Sequence, residues 1–534
     1  MTSSSSNDTN VFLPCNLGAA ISQDGDQDAP AIIDLGGEDP PRTYSYRELH
    51  ELCHAIARGV LRFGLQQGDR VAIVSANRAE YLTIYLGAMQ AGMIPVPINI
   101  KLPPARLSHI LQDAGARIVF CDAQRIAQCP RDIPTIVFGA SHSDSAIQAT
   151  STFNAFIDSG TFTAIRPSGN QAAMFLYTSG STGVPKGVVL SHSSHLWVLA
   201  MRLRPATAQR LRTLVAAPLY HMNALSTSHA ALAQHDTVVL MPGFEVASYL
   251  DAIERYRCNS LTSVPTMFSM ILKRPDLIEL TDLSSVQSLR MGSAPVSLGL
   301  FNALRKLFPN SSIQNVFGIT EAGPIVFAPH PDSRVTPPSS LGYSHPQVSL
   351  RIDGVASGPA NGVLEIKCPA LMTGYHNQPE VTKKVFTEDG YYRTGDIFSR
   401  DADGFYFYVG RADDMFSCGA ENIYPGDVEK MLEEHPAIQQ VAVVPIADEI
   451  KGAKPVAFVV LKAGADASES EIQQFALANA PAYQHPRRVW FLMELPLAST
   501  NKIDTKQLIK IANATLQAKA EQLQEEENES NRTA

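Results

Sequence analysis

Short runs rich in valine and isoleucine alternate with segments of helical period along most of the chain, and this alternation restricts the fold more than any other feature. VAIVSANR (71–78) is followed by the helical EYLTIYLGAMQAG, the strand-like PVPINI, a helix near LSHILQDAG and the strand RIVFCDA. Strands alternating with helices of this size form parallel sheets covered on both faces. The same texture returns at TLVAAPLYH, TVVLMPG, SLTSVPTMF, SLRMGSAP and SIQNVFGITE. Ahead of them, YSYRELHELCHAIARGVLRFG reads as a helix. Ser45 and Glu48 have the spacing of a capping box, and Leu49, Leu52, Cys53, Ile56 and Val60 fall on one face.

From about residue 341 the pattern changes to short strands with tight turns (SLRIDG, GVLEIKCPA, GFYFYVGR), which suggests a small β-rich unit. After Gly410-Arg411-Ala412-Asp413-Asp414 a separate α+β pattern begins, with helix-like YPGDVEKMLEEHP and SESEIQQFALANA among strands QQVAVVPIAD, KPVAFVVLK and RRVWFLMEL. The expected fold is therefore α/β: a large N-terminal domain of parallel sheets with a β-rich subdomain (1–411), then a small α+β lid domain (412–534).

The 534 residues suffice for several domains. With 43 Lys+Arg against 52 Asp+Glu the formal charge is −9, which argues against a general nucleic-acid coat. No apolar run reaches the roughly 20 residues that span a bilayer, so a soluble chain without a membrane anchor is expected. Seven cysteines without a CxxC pair suit a reducing compartment. The polar start MTSSSSNDTN lacks a signal core, and the acidic end AEQLQEEENESNRTA lacks a peroxisomal or lipidation signal, so the expected location is cytoplasmic.

The strongest local signal is Tyr177-Thr178-Ser179-Gly180-Ser181-Thr182-Gly183-Val184-Pro185-Lys186-Gly187 after strand-like AAMFL. Small residues let backbone N–H groups curl around phosphate oxygens, hydroxyls donate further bonds, and the lysine adds a mobile charge. Taken alone, such a stretch is equally an ordinary Gly/Ser surface loop. The usual nucleotide P-loop does not fit, because Pro185-Lys186-Gly187 stands where Gly-Lys-Ser/Thr is needed.

Further segments follow in order: Pro218-Leu219-Tyr220-His221, Met291-Gly292-Ser293-Ala294-Pro295 and Phe317-Gly318-Ile319-Thr320-Glu321. After these come Tyr392-Arg393-Thr394-Gly395-Asp396, Gly410 to Asp414, Gly419-Ala420-Glu421-Asn422-Ile423-Tyr424-Pro425 and Asn501-Lys502-Ile503-Asp504. Together with the 177–187 loop, this ordered set resembles the adenylate-forming (ANL) superfamily, in its acyl- and aryl-CoA synthetase branch. The resemblance covers nearly the whole chain. It implies an AMP-forming acid–thiol ligase: a carboxylate attacks the α-phosphate of ATP, pyrophosphate leaves, and the thiol of coenzyme A then displaces AMP. A carboxylate nearing a triphosphate meets like-charge repulsion, so the site must supply cations and oriented dipoles.

The resemblance also implies roles. Lys502 would bridge the acid and the α-phosphate. Glu321 would hold Mg²⁺, and Thr320 would bond the α-phosphate. Asp396 and Arg411 would contact the ribose. Thr178, Ser179, Gly180, Ser181, Thr182, Gly183 and Lys186 would surround the outer phosphates. Ser293, Ala294, Pro295, Phe317 and Gly318 would border the nucleotide. The acyl pocket would draw on His221, Met222, Asn223, Met291, Gly292, Gly318, Ile319, Ala322 and Gly323, with Pro324 and Ile325 beyond. Asp413 would be the hinge about which the lid turns, bringing Cys418, Gly419 and Ala420 to the thiol-acceptor position. Cys418 has no adjacent base and reads as structural.

Four positions depart from the usual pattern: Phe317 stands for Tyr, Ala420 for Gly, Asn501 for Gly and Ala498 for a frequent Thr two residues after Pro496. None removes a charge from the chemistry. The pocket segments hold no arginine or lysine, so the expected substrate is a monocarboxylic acid, fatty or aryl. Two alternatives remain: a ligase or freestanding adenylation enzyme that hands its acyl group to a carrier protein, and a non-catalytic nucleotide-binding homologue.

Overall fold

The computed structural model describes residues 15–36, 40–139, 150–168, 170–179, 185–205, 208–418, 421–448, 451–498 and 502–518. The alternating pattern forms two parallel sheets. One has seven strands in the order Ser312–Val316, Ser288–Gly292, Ser260–Ser263, Arg212–Val215, Thr237–Leu240, Pro30–Asp34 and Arg42–Ser45, with only the last pairing antiparallel. The other has five, in the order Ile94–Pro97, Arg70–Val74, Ala116–Asp122, Thr135–Phe138 and Ser151–Thr152. Pro95 and Pro97, which lack an N–H, are accommodated because their strand lies at the sheet edge.

Helix Tyr46–Arg62 starts at the expected capping box: the Ser45 hydroxyl accepts from Glu48 N–H, and the Glu48 carboxylate accepts from Ser45 N–H. Its buried residues include Leu49, Cys53, Ile56 and Val60, which join Ile32, Ile73 and Tyr81 in the largest core cluster.

The Gly/Ser-rich loop lies between strands Ala172–Ser179 and Pro185–Ser191, which pair antiparallel with Thr178 opposite Lys186. It therefore joins two paired strands. Its residues 180–184 lie outside the described residues. Strand Gly374–Tyr375 adds to this hairpin.

Strands Ser349–Ile352, Ala360–Lys367, Tyr392–Arg400 and Tyr406–Arg411 form the expected antiparallel subdomain. The last of them ends at Arg411. The next strand, Phe416–Cys418, already pairs with Gly452 in the sheet of the small C-terminal domain. There, alternate residues of Ile438–Asp448 and Gly452–Leu461 face opposite cores: Val441, Val443, Ala457 and Val459 on one side, Ala442, Val444, Val456 and Phe458 on the other. Among the described residues no helix is long and apolar enough to cross a membrane.

Candidate active site

Asp396 stands directly opposite Arg411 across the antiparallel pair Tyr392–Arg400 and Tyr406–Arg411. Arg411 Nη1 donates to Asp396 Oδ1 at 3.0 Å and to the Thr394 carbonyl at 3.1 Å, while its Nε donates to Asp413 Oδ1 at 3.0 Å. One guanidinium thus ties the subdomain to the segment that leads into the C-terminal domain. Asp396 is only 4% exposed. Burial pushes its carboxyl up to about 6, against the pull of Arg411 and Lys502.

After strand Ser312–Val316 the chain turns tightly, with Ile319 N–H donating to the Gly323 carbonyl at 3.3 Å and Ala322 N–H to the Ile319 carbonyl at 3.2 Å. Gly318 has no room for a side chain: a Cβ there would lie 2.6 Å from Pro324 Cα. The turn presents Thr320 and Glu321, both half-buried. The Tyr375 hydroxyl donates to Glu321 Oε1 at 3.0 Å, and the Tyr392 hydroxyl lies 3.3 Å from that of Tyr375. Lys186 Nζ sits 5.2 Å from the centre of the Tyr375 ring. Burial raises the Glu321 carboxyl above the usual range, while the bond from Tyr375 and the charges of Arg411 and Lys186 oppose that rise.

Among the described residues no three His, Cys, Asp or Glu side chains cluster as a metal cage. Magnesium needs no such cage, since it is commonly held by one or two carboxylates together with substrate phosphates. Glu321 fits that role: one oxygen takes the Tyr375 bond, and the carboxylate sits where desolvation favours a neutralising cation.

Lys502 comes from the C-terminal domain, where its carbonyl accepts from Ala498 N–H at 2.7 Å. It is exposed, yet enough protein surrounds it for desolvation to hold its ammonium below the usual value. Asp396 acts in the opposite sense and Arg411 in the same sense, so all three charges face one space. The Lys502 charge also reaches His221, which begins helix Met222–Ala233. Desolvation first, then Lys502 and Lys101, hold His221 down at about 4, so its imidazole is neutral at physiological pH. Its Nε2 is buried without a protein partner. A cavity of about 190 Å³, bordered by Tyr220, Lys101, Phe244 and Met267, is closed on one side by Leu497 of the C-terminal domain.

The fold thus brings Lys502, Asp396, Arg411, Glu321, Lys186 and His221 into one electrostatic neighbourhood, with Thr320 beside Glu321 and Thr178 across from Lys186. Asp413 holds Arg411. The Phe317 ring meets Phe398 edge-on at 5.1 Å and Phe327 at a tilt at 5.9 Å, within the aromatic core of the subdomain. Ser293 adopts a left-handed φ of 69° and is exposed, followed by half-buried Ala294 and exposed Pro295. Met222, Asn223 and Ile319 are half-buried, and Gly292 leaves no space for a Cβ beside Val316 O, 2.7 Å away. Gly323 has a left-handed φ of 74°.

Two pocket expectations are corrected. Met291 is fully buried with Leu289, Phe268 and Leu304, on the sheet face turned away from helix Met222–Ala233. Ala322 is fully buried in the core of the β-rich subdomain with Val326 and Leu364. Cys418 is a buried free thiol in the C-terminal core. Gly180, Ser181, Thr182, Gly183, Gly419, Ala420 and Asn501 lie outside the described residues, as does the side chain of Ser179. Tyr392 belongs to one of the segments singled out in the sequence, whereas Tyr375 does not. Tyr375 meets Glu321 only because strand Gly374–Tyr375 joins a hairpin far back in the chain, a pairing that no local pattern records.

The model for AMP-binding enzymes matches residues 20–376, and that for the AMP-binding enzyme C-terminal domain matches 427–502. Feruloyl-CoA synthase of an Amycolatopsis species is 31% identical over 471 residues, which cover 86% of this chain and 92% of that protein. 4-Coumarate–CoA ligase 3 of Arabidopsis thaliana is 29% identical over 497 residues, covering 88% of this chain and 86% of its own. Among solved structures, o-succinylbenzoate CoA synthetase of Bacillus subtilis in complex with its acyl-adenylate intermediate superposes with a TM-score of 0.75 at 26% identity, covering 90% of this chain and 95% of that one. With both family models matched in order along one chain, and relatives aligned over most of its length, this protein belongs to the AMP-binding enzyme family.

Proposed function

We propose that this protein activates a carboxylic acid with ATP to an acyl-adenylate and then transfers the acyl group to coenzyme A. The observation that carries this reading is the convergence of Lys502, from the C-terminal domain, on the Asp396–Arg411 pair and His221 of the N-terminal domain. In the first step a carboxylate oxygen attacks the α-phosphorus and the bond to the pyrophosphate oxygen breaks. Lys502 draws the two anions together and stabilises the charge gathering between them. Asp396 accepts from the ribose hydroxyls, with Arg411 fixing its orientation. Thr320 donates to the α-phosphate. Thr178 and Lys186 address the outer phosphates with the loop between them.

Neutral His221 walls the acid's carboxylate without adding a competing charge. Magnesium bound at Glu321 would supply positive charge to the phosphates, and Tyr375 holds that carboxylate in place. Met222, Ile319 and Asn223 would border the acid, which suits an apolar or aromatic body such as the acids named for the relatives. For the second step we propose a domain boundary at 411/412 and rotation about Asp413, which removes Lys502 and brings the 418–420 loop to the adenylate. The sulfur then attacks the carbonyl and AMP leaves.

Pyrophosphate release measured over a panel of acids, with coenzyme A present and absent, tests the reading. Acid-dependent release and a CoA thioester are expected. Release without a thioester, and transfer to a carrier protein instead, would move the acceptor away from coenzyme A. No release with any acid would overturn the adenylation reading.

A further inference from the structure

The segments assigned to the acyl pocket from the sequence contain no arginine or lysine, but the fold brings two arginines to the helix that His221 begins. Strand Ser288–Gly292 runs parallel to Ser260–Ser263 with Arg290 beside Thr262, and Thr262 lies beside Val215 on the next strand. Residues in register share a sheet face. Val215 packs with Ala224 and Leu225 of helix Met222–Ala233, whereas Leu289 and Met291 pack on the opposite face. Arg290 therefore stands on the face covered by the helix that His221 begins.

Arg202, just past the end of helix His192–Ala200, approaches the same helix. Its Nη1 donates to Ser226 Oγ at 3.1 Å, one turn beyond Met222. Its Nε is buried and has no acceptor. Among the described residues neither guanidinium forms an ion pair with an Asp or Glu. Burial and the charge of Arg290 push Arg202 down to about 9, and burial also lowers Arg290. Arg411, by contrast, is met by the carboxylates of both Asp396 and Asp413. Two neighbouring cations with no carboxylate between them repel each other, and an anion placed there relieves that repulsion and offers an acceptor to the buried Arg202 Nε. A planar carboxylate matches guanidinium forks in shape as well as charge.

We infer that Arg202 and Arg290 receive a second carboxylate at the distal end of the acid, so that the preferred substrate is a diacid activated at one end only. This rests on the acid-activation reading above and replaces the monocarboxylic expectation drawn from the local segments.

The test pairs each of a series of short aliphatic and aromatic diacids with its own mono-methyl ester, and compares kcat/KM for pyrophosphate release. The free diacid is expected to be preferred by about tenfold or more, the scale of one charge-assisted hydrogen-bonded pair. In Arg290→Met and Arg202→Lys that preference shrinks through a raised KM for the diacid, while the mono-ester changes little. Mono-esters turned over as well as the diacids by the unaltered protein would overturn the inference and leave adenylation standing. Equal loss with both substrates in the variants would also overturn it, because it would make the arginines braces for the helix. Failure of every acid, mono or di, would overturn the adenylation reading and this inference with it.

Discussion

The phenol of Tyr375 donates a 3.0 Å hydrogen bond to Oε1 of Glu321 across 54 residues of sequence, and so fixes the carboxylate proposed to face the phosphates. Burial resists ionisation of Glu321, and this bond is one of the contacts that keep it charged. Tyr375→Phe removes the donor and keeps the ring over which Lys186 lies. A hydrogen bond to a charged group contributes about 1.5–3 kcal/mol, so kcat/KM for ATP is expected to fall roughly ten- to hundredfold. The magnesium concentration for half-maximal rate should rise with it. An unchanged magnesium titration would remove Tyr375 from the site.

Lys502 serves the first half-reaction alone in the proposed mechanism. Lys502→Ala is expected to abolish acid-dependent pyrophosphate release and to spare thioester formation from supplied acyl-adenylate. Single-turnover assays of the two halves separate these outcomes. Equal loss of both would show that the lysine also serves the rotated state.

Asp396 makes stability depend on pH in an unusual direction. Its carboxyl titrates at about 6 in the folded chain, and near 3.9 when unfolded. Between those values the folded state holds a proton that the unfolded state has released, so stability falls as pH rises through that window, by up to about 3 kcal/mol. Asp396→Asn should flatten this part of the profile in thermal unfolding from pH 4 to 7, and should weaken ATP binding at every pH. A profile identical to that of the parent would show that the carboxyl is not raised.

Glu429, on helix Pro425–Leu432, accepts from Val443 N–H at 2.8 Å, and burial pushes its carboxyl up to about 7. The same argument applies at higher pH: the group is protonated in the folded chain and ionised in the unfolded one between about 4.5 and 7. Glu429→Gln is therefore expected to raise stability at pH 8 by up to about 2 kcal/mol and to change little at pH 4. Urea unfolding at the two pH values reads this directly.

Gly318 is held by contact with neighbouring backbone, since a Cβ would lie 2.6 Å from Pro324 Cα. Gly318→Ala should cost about 1–3 kcal/mol through overpacking and should disturb the Thr320–Glu321 turn, seen as a lowered midpoint in chemical unfolding together with a raised KM for ATP.

The elements themselves were readable. The Ser45–Glu48 capping box starts its helix as the spacing requires, and the Val/Ile runs became parallel strands. The switch of pattern near 411 coincides with the change from one sheet to the next. The charged residues proposed for the nucleotide were readable as an ordered set, and the fold pairs Asp396 with Arg411 and places Glu321 and Lys502 within their electrostatic reach. Pocket walls were less legible. Met291 was assigned to the acid and instead fills the core, while its neighbour Arg290 points to the helix side; adjacent strand residues face opposite ways, and nothing local says which face a ligand will meet.

Residue order alone determined which stretches become strands and helices and which charged groups stand as candidates for nucleotide chemistry, because period, capping and motif spacing act over a few neighbouring positions. The tertiary structure decided that Tyr375 steadies Glu321, that Asp396 lies opposite Arg411, and that two arginines distant in sequence lack carboxylate partners beside one helix. Those relationships depend on strand register and on how distant elements pack, and registers are set by the whole buried surface at once, not by any segment's own pattern.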